Sequence, residues 1–186
     1  MLANPSIHIR AAKPEDSELL ARLGAQTFGD TFGPDNTPED MAAYLAQAFG
    51  PGKQAADLAE PGTTFLIAEV DGTAVGYVRL REGPAPDCVP AERPIEIVRF
   101  YAVASWIGHG VGAALMSASL DRAQTHHCDV IWLDVWERNS RAIAFYQRWG
   151  FAEVGTQPFV LGSDIQRDLL MARAVQAVTD ATRAER

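Results

Sequence analysis

Residues 95–113, IEIVRFYAVASWIGHGVGA, constrain this chain more than any other stretch. An apolar run rich in β-branched and aromatic side chains (Ile95, Ile97, Val98, Phe100, Tyr101, Val103) predicts a buried strand. Gly108, Gly110 and Gly112 follow at every second position, and AALMSASLDRAQ then carries the apolar period of a helix. Strand, glycine turn and helix N-terminus in that order let backbone N–H groups converge with no Cβ in the way, and the helix dipole adds positive potential. Such a turn suits the phosphates of a cofactor. It also suits a plain tight βα connection, so the flanking elements must decide.

Before this stretch, IHIRAA (7–12) predicts a first strand and PEDSELLARLGAQTF (14–28) a helix striped by Leu19, Leu20 and Leu23. GDTFGPDN (29–36) reads as a loop. TPEDMAAYLAQAF follows with Thr37 as N-cap and Pro38 at the first helical position, and GPGKQAADLAEPG (50–62) reads as turn-rich, with at most half a helical turn. TFLIAEV, Asp71-Gly72 and TAVGYVRL form a strong hairpin signal. REGPAPDCVPAERP reads as a surface excursion. After the glycine helix, DVIWLDVW predicts another buried strand, NSRAIAFYQRW a short helix closed by Gly150, and FAEVGTQPFVLG with QRDLLMARAV two strands around a turn at Gly162–Asp164. No repeat or linker interrupts this order. The expectation is one α+β domain over residues 1–174 and a frayed, alanine-rich tail at 175–186.

Composition removes several function classes. A formal net charge of −8 gives no electrostatic basis for nucleic-acid binding. No stretch approaches the roughly 20 apolar residues of a membrane span, and MLANPSIHIR has no secretory core, so a cytoplasmic setting is expected. The two cysteines, Cys88 and Cys128, form no disulfide framework or metal spacing. The HHCD run at 126–129 cannot turn four adjacent side chains toward one ion, and no metal is expected.

The segments IGHGVG (107–112) and NSRAIAFYQRWGF (139–151), in that order of strand, turn, helix, strand and helix, resemble the GNAT (GCN5-related) N-acetyltransferase superfamily. The patterns are R/Q-x-x-G-x-G/A and N-x-x-A-x-x-x-Y-x-x-x-G-F, and the resemblance runs from the first strand to about Arg173. The closing F-x-L-G-x-D-x-Q-x-D-x-x-M (Phe159 to Met171) is similar to the PaiA-like group of polyamine or protein acetyltransferases. The resemblance implies a mixed, mostly antiparallel sheet of six to seven strands with a splayed central strand and about four helices. It implies acetyl-CoA as acyl donor and no metal. Backbone groups of Ala102 and Val103 would pair with the pantetheine arm, and the turn from Gly108 through His109, Gly110, Val111 and Gly112 to Ala113 would hold the pyrophosphate. Ile107 departs from the usual Arg or Gln, which removes a side-chain contact that His109 partly replaces. The family commonly pairs as dimers, although no feature of this sequence requires it.

Acetyl transfer to an amine requires removal of the amine proton, stabilisation of an oxyanion and protonation of the leaving thiolate. The resemblance assigns the acid to Tyr146; a phenol near pKa ~10 is matched to a thiolate near ~8.5. It suggests an oxyanion donor on the central strand, the Val103 N–H. Asn139 serves as helix cap, cofactor contact or both. Glu96 is either the base or an ion-paired strand residue near Arg99. Trp136 and Glu137 stand where a substrate cleft would begin. The first two helices and their loop carry Asp30, Asp35, Glu39 and Asp40 with Phe28, Phe32 and Tyr44, a mixture suited to a cationic amine. Glu39 and Asp40 complement a helix N-terminus, which leaves Asp30 and Asp35 as acceptor-binding candidates. Two other readings remain: a non-catalytic acyl-CoA sensor, and a Rossmann-type dinucleotide oxidoreductase using the three glycines and Asp134.

Overall fold

The Asp71-Gly72 turn forms as its sequence dictates. Both residues are left-handed (φ 49° and 74°), the geometry whose twist matches flanking antiparallel strands. It joins β2 (Thr63–Val70) to β3 (Thr73–Glu82) within a seven-stranded sheet. The computed structural model describes residues 6–162 and 164–176, so residues 177–186 of the expected tail lie outside it. The remaining strands are β1 (Ile7–Ala11), β4 (Pro94–Ala102), β5 (Val130–Trp136), β6 (Ala152–Leu161) and β7 (Asp164–Ala174). Their order is β1-β2-β3-β4-β5-β7-β6, and only β4 and β5 run parallel.

Strand alternation sends neighbouring residues to opposite faces, and each face has its own core. On one, α4 (Val111–Thr125) and α5 (Ser140–Arg148) bury Val111, Leu115, Met116 and Tyr146 against Val78, Leu80, Ile95, Ile97, Ile131 and Leu133. On the other, α1 (Ser17–Phe32) sets Leu20 and Leu23 on Phe65, Ile67 and Tyr77. Phe28, with Met41 and Phe49 of α2 (Pro38–Phe49), packs against Leu161. Gly76 lets α4 seat closely, since a Cβ there would lie 2.7 Å from the Tyr101 carbonyl and 2.9 Å from Val111.

Three local expectations need correction. α1 continues to Phe32 and a 3-10 turn covers Gly33–Asp35, so most of 29–36 is helical. The 50–62 segment holds a full helix, α3 (Pro51–Ala59). Its buried residues are the polar Gln54 and Asp57, so hydrophobic periodicity gave no sign of it. The proline-rich excursion packs over the sheet, where Val89 covers Trp132, and the Asp129 carboxylate accepts the N–H groups of Glu92 and Arg93 at 2.7 and 2.9 Å. Thr37 caps α2 as expected, its hydroxyl accepting the Asp40 N–H. The HHCD side chains diverge: His126 pairs with Glu82 at 2.7 Å, Cys128 is buried and Asp129 holds the excursion.

α3 is fastened by charge. Arg79, on β3, donates to Asp57 at 2.8 Å and to Glu60 at 2.6 Å, Lys53 pairs with the same Asp57, and Arg99 donates to Gln54 at 3.0 Å. Asp57 is 3% exposed, and removing it leaves the buried Arg79 cation with the more exposed Glu60 as its carboxylate partner. Asp57→Ala should cost about 3 kcal/mol in urea unfolding, because the buried Arg79 loses its buried partner and keeps only a partly exposed one. Lys53→Ala removes a half-exposed partner and should cost less than about 1 kcal/mol. Equal losses would show that the network is not what anchors α3.

Candidate active site

β4 and β5 are paired only from Pro94↔Val130 to Ile97↔Leu133. A bulge sits at that point: Arg79↔Arg99 is followed by Leu80↔Ile97, which leaves Val98 as the extra residue of β4. A bulge bends its strand and increases local twist, so β4 leaves β5 there while staying on β3. Beyond it, β5 residues Asp134, Val135 and Trp136 pair with β7 alone. The result is a wedge with unpaired backbone along its β4 side.

Alternation decides which groups face that wedge. The Val103 N–H donates to the Val75 carbonyl at 2.9 Å, and the Val103 carbonyl accepts the Trp106 N–H at 2.8 Å. Both backbone groups of Val103 are therefore used within the chain. This corrects the expectation that Val103 pairs with a pantetheine arm or supplies the oxyanion donor. One residue back, Ala102 turns its N–H and carbonyl the other way, toward the wedge, as does Phe100. Ala102 keeps its expected place, and Phe100 joins it. The signal that would have found Phe100 is the parity of the strand.

Beyond β4, the 107–110 turn brings Gly108 and Gly110 into the left-handed region (φ 85° and 90°). Gly110 ends the turn and starts α4, whose first intrahelical bond runs from Ala114 N–H to the Gly110 carbonyl at 3.0 Å. The Val111, Gly112 and Ala113 amides precede that bond, so they form the open donor end of a 15-residue helix. Gly112 lies close to Phe145, where a Cβ would meet the ring at 3.4 Å. His109 stays at the turn, with Nδ1 3.2 Å from the Ile107 carbonyl.

α5 approaches the same wedge from the far side. Asn139 caps it, its side-chain oxygen accepting the Ala142 N–H at 3.2 Å. Tyr146 is 7% exposed, with its ring centroid 6.0 Å from Phe100 and 5.8 Å from Phe151. Burial, with a smaller contribution from the Asp134 charge, raises the phenol above its ordinary pKa, so it stands in the wedge wall as a neutral O–H.

On the opposite face a cleft of about 320 Å³ is lined by Asp30, Asp35, Ala102, Trp136, Arg138 and Asn139 among others. The two carboxylates of the first helical region thus meet the end of β4 and the cap of α5. Trp136 joins the cleft to a cluster of packed rings: Phe28 stacks on Tyr44 at 4.7 Å, Phe32 lies 6.0 Å from Trp136, and Tyr44 lies 5.8 Å from Phe159. Glu96 is ion-paired, but with Arg81 (2.5 Å) rather than Arg99. Burial raises its pKa and the Arg81 hydrogen bond opposes that rise. Arg99 instead lies 4.4 Å over the Phe49 ring and donates to the Ala48 carbonyl.

Residues 26–151 match the Acetyltransferase (GNAT) family. The chain belongs to that family. It is 34% identical over 167 residues to an uncharacterised N-acetyltransferase from the pepI 3′ region of Lactobacillus delbrueckii subsp. lactis, covering 90% of this chain and 96% of that one. It is 32% identical over 158 residues to an uncharacterised N-acetyltransferase of Mycobacterium tuberculosis, covering 85% and 97%. In fold it is similar to the PaiA N-acetyltransferase of Thermoplasma acidophilum, crystallised with coenzyme A, with a TM-score of 0.75 and 21% identity over 91% of this chain and 99% of that one. Its seven strands and five α-helices fit the GNAT architecture expected from the sequence.

This GNAT domain also carries a pair of acids that sequence reasoning did not bring together. Asp134 and Asp168 lie on adjacent strands, and in their register (Asp134↔Leu170, Trp136↔Asp168) they are diagonal neighbours on one face. Gln157 donates to Asp134 at 3.1 Å. Burial and then the neighbouring Asp134 charge push Asp168 up to about 7, and burial raises Asp134 as well. The folded-state value of Asp168 lies above the ~3.9 of an unfolded aspartate. Between about pH 4 and 7 the folded protein binds the extra proton, so stability falls as pH rises through that window and levels off above it. Asp168→Asn removes this dependence. Its melting temperature relative to wild type should therefore be higher at pH 8 than at pH 5, as read by thermal denaturation; a difference independent of pH would show that Asp168 ionises normally.

Proposed function

We propose that this GNAT enzyme transfers the acetyl group of acetyl-CoA to a primary amine on a small cationic, polyamine-like acceptor, with a peptide or protein amine as the next class. The observation that carries the reading is the wedge: unpaired backbone on its β4 side, the open amides of α4 beyond it and a buried tyrosine in its wall. Ala102 and Phe100 would bind the pantetheine amides as an added strand does. The Gly108 to Ala113 turn would take the pyrophosphate, and its left-handed glycines and free first-turn amides fit that group. This compensates for Ile107, which offers no side-chain donor. Asn139 caps α5 and would border the same arm.

The thioester supplies an activated acyl group. Tyr146 gives its phenolic proton to the departing sulfur and regains one from the attacking nitrogen, so the acid is restored within the cycle. The Ala102 N–H is the backbone donor available to the oxyanion. A carboxylate of the acceptor face removes the first ammonium proton; Glu96, the candidate its strand position suggests, is committed to Arg81. Acceptor choice rests on Asp30 and Asp35, with Phe28, Phe32 and Tyr44 nearby, since carboxylates and ring faces both attract an ammonium. The Phe159-to-Met171 pattern, similar to the PaiA-like group, supports the polyamine-like class.

Thiol release from acetyl-CoA with a panel of polyamines, amino acids and peptides tests the assignment. Tyr146→Phe keeps the packing and should lower amine-dependent release at least about tenfold, toward the hundredfold scale of a lost general acid, with acetyl-CoA affinity unchanged. An unchanged rate would remove Tyr146 from the chemistry. Retained acetyl-CoA binding with no release for any amine would favour the non-catalytic sensor. The Asp30→Asn, Asp35→Asn double variant should raise KM for a cationic acceptor about fivefold, the scale of an exposed ion pair, and leave KM for acetyl-CoA in place. An unchanged acceptor KM would move the acceptor site elsewhere.

A further inference from the structure

Asp134 is the first β5 residue past the last β4–β5 pair, so its side chain stands at the apex of the wedge on the acceptor face. Its carboxyl and that of Asp168 are diagonal neighbours on one face of the β5–β7 pair, close enough for each to shift the other's proton affinity. Asp168 is 6% exposed, and its Oδ1 has no donor within reach. Two carboxylates cannot hydrogen-bond to each other without a proton between them. One shared proton resolves both observations: it gives the buried oxygens their bond and lowers the pair's charge from −2 to −1.

The surroundings leave that single negative charge without a dedicated cation. Gln157 from β6 contributes a neutral donor. Glu137, at the end of β5, and Glu96, on β4, are both acidic, and Arg81, from β3, is committed to Glu96. Tyr44 of α2 and Tyr146 of α5 face the pair as neutral phenols, with Arg99 acting on Tyr44. The pair is therefore a singly charged base at the place where β4 and β5 part.

We infer that Asp134 and Asp168 form a proton-sharing pair in which Asp134 takes the acceptor's ammonium proton, while Glu96 is a structural partner of Arg81. The inference rests on the proposed acetyl transfer. In this step the ammonium N–H bond breaks and an O–H bond forms on Asp134, taking the pair from one proton to two. The free amine then forms its C–N bond as C–S breaks, and its second proton reaches sulfur by way of Tyr146. The pair afterwards returns one proton to solvent, which is the one proton the overall reaction releases. Asp168 is a positioning residue: its hydrogen bond holds Asp134 in place, and its burial sets the pH at which the pair gains or loses its charge.

The test is the pH profile of kcat/KM for amine-dependent thiol release in wild type and in three variants. Wild type should show an alkaline limb with its midpoint at about 7, where the pair loses the shared proton that holds Asp134 in place. Asp168→Asn keeps a donor to Asp134 at every pH and has no shared proton to lose, so that limb should vanish. Asp134→Asn should lose about a hundredfold at neutral pH. Glu96→Gln should leave the midpoint unmoved. A limb that stays in place in Asp168→Asn, or shifts in Glu96→Gln, overturns the inference. Infrared difference spectra read the same proton without turnover: a buried protonated-carboxyl band should titrate near neutrality in wild type and vanish in folded Asp168→Asn. Absence of that band in wild type also overturns it. If wild type turns over no amine, the proposed transfer fails, and the infrared band still decides whether the pair shares a proton.

Discussion

The structure depends on one discontinuity in backbone pairing. Val98 is a residue too many for the β3–β4 register, and at that residue β4 stops hydrogen-bonding to β5. A sheet that stayed paired would satisfy its own amides and have no room for an extended ligand. The bulge leaves those of Phe100 and Ala102 facing open space, and the residue after it, Arg99, is held by Ala48, Gln54 and the Phe49 ring. A local irregularity thus creates the wedge and also ties α2 and α3 to the strand that forms one side of it.

Much of this was legible in the sequence because the elements that carry it are locally encoded. Asp71-Gly72 specifies a twist, Thr37 and Asn139 specify helix starts, and alternate glycines specify a turn that exposes amides. α3 escaped because the side of it that meets the sheet buries Gln54 and Asp57, and a helix fastened by charge has no apolar stripe to reveal it. The occupied Val103 amide escaped because hydrogen-bond parity depends on where a strand bulges, which composition does not encode. Asp134 and Asp168 escaped for a third reason. They are far apart in sequence, and Asp134 alone suggests only an acid of a dinucleotide site; only the β5–β7 register makes the two neighbours.

Charge is distributed unevenly around the wedge. The α4 side offers amides and a helix N-terminus, a field suited to anions. The acceptor side gathers Asp30, Asp35, Glu96, Asp134 and Asp168 and also carries Arg138 and Arg141 in the lining of the cleft, an acidic balance suited to cations. Each of two oppositely charged reactants would therefore meet a wall of the opposite sign, and their reacting ends would meet at the strand apex between them. Burial keeps Tyr146 neutral and ready to donate, and it keeps the acid pair partly protonated.

The two cores that share this sheet have a further consequence. The residues that seat α4 and α5 point away from those that seat α1 and α2, so mutations on one side need not be matched on the other. The half of the molecule that would grip the donor can stay constant while the half facing the acceptor drifts. A fold built this way could take a different acceptor without disturbing the side that would hold the donor, because the two sides of one sheet pack independently.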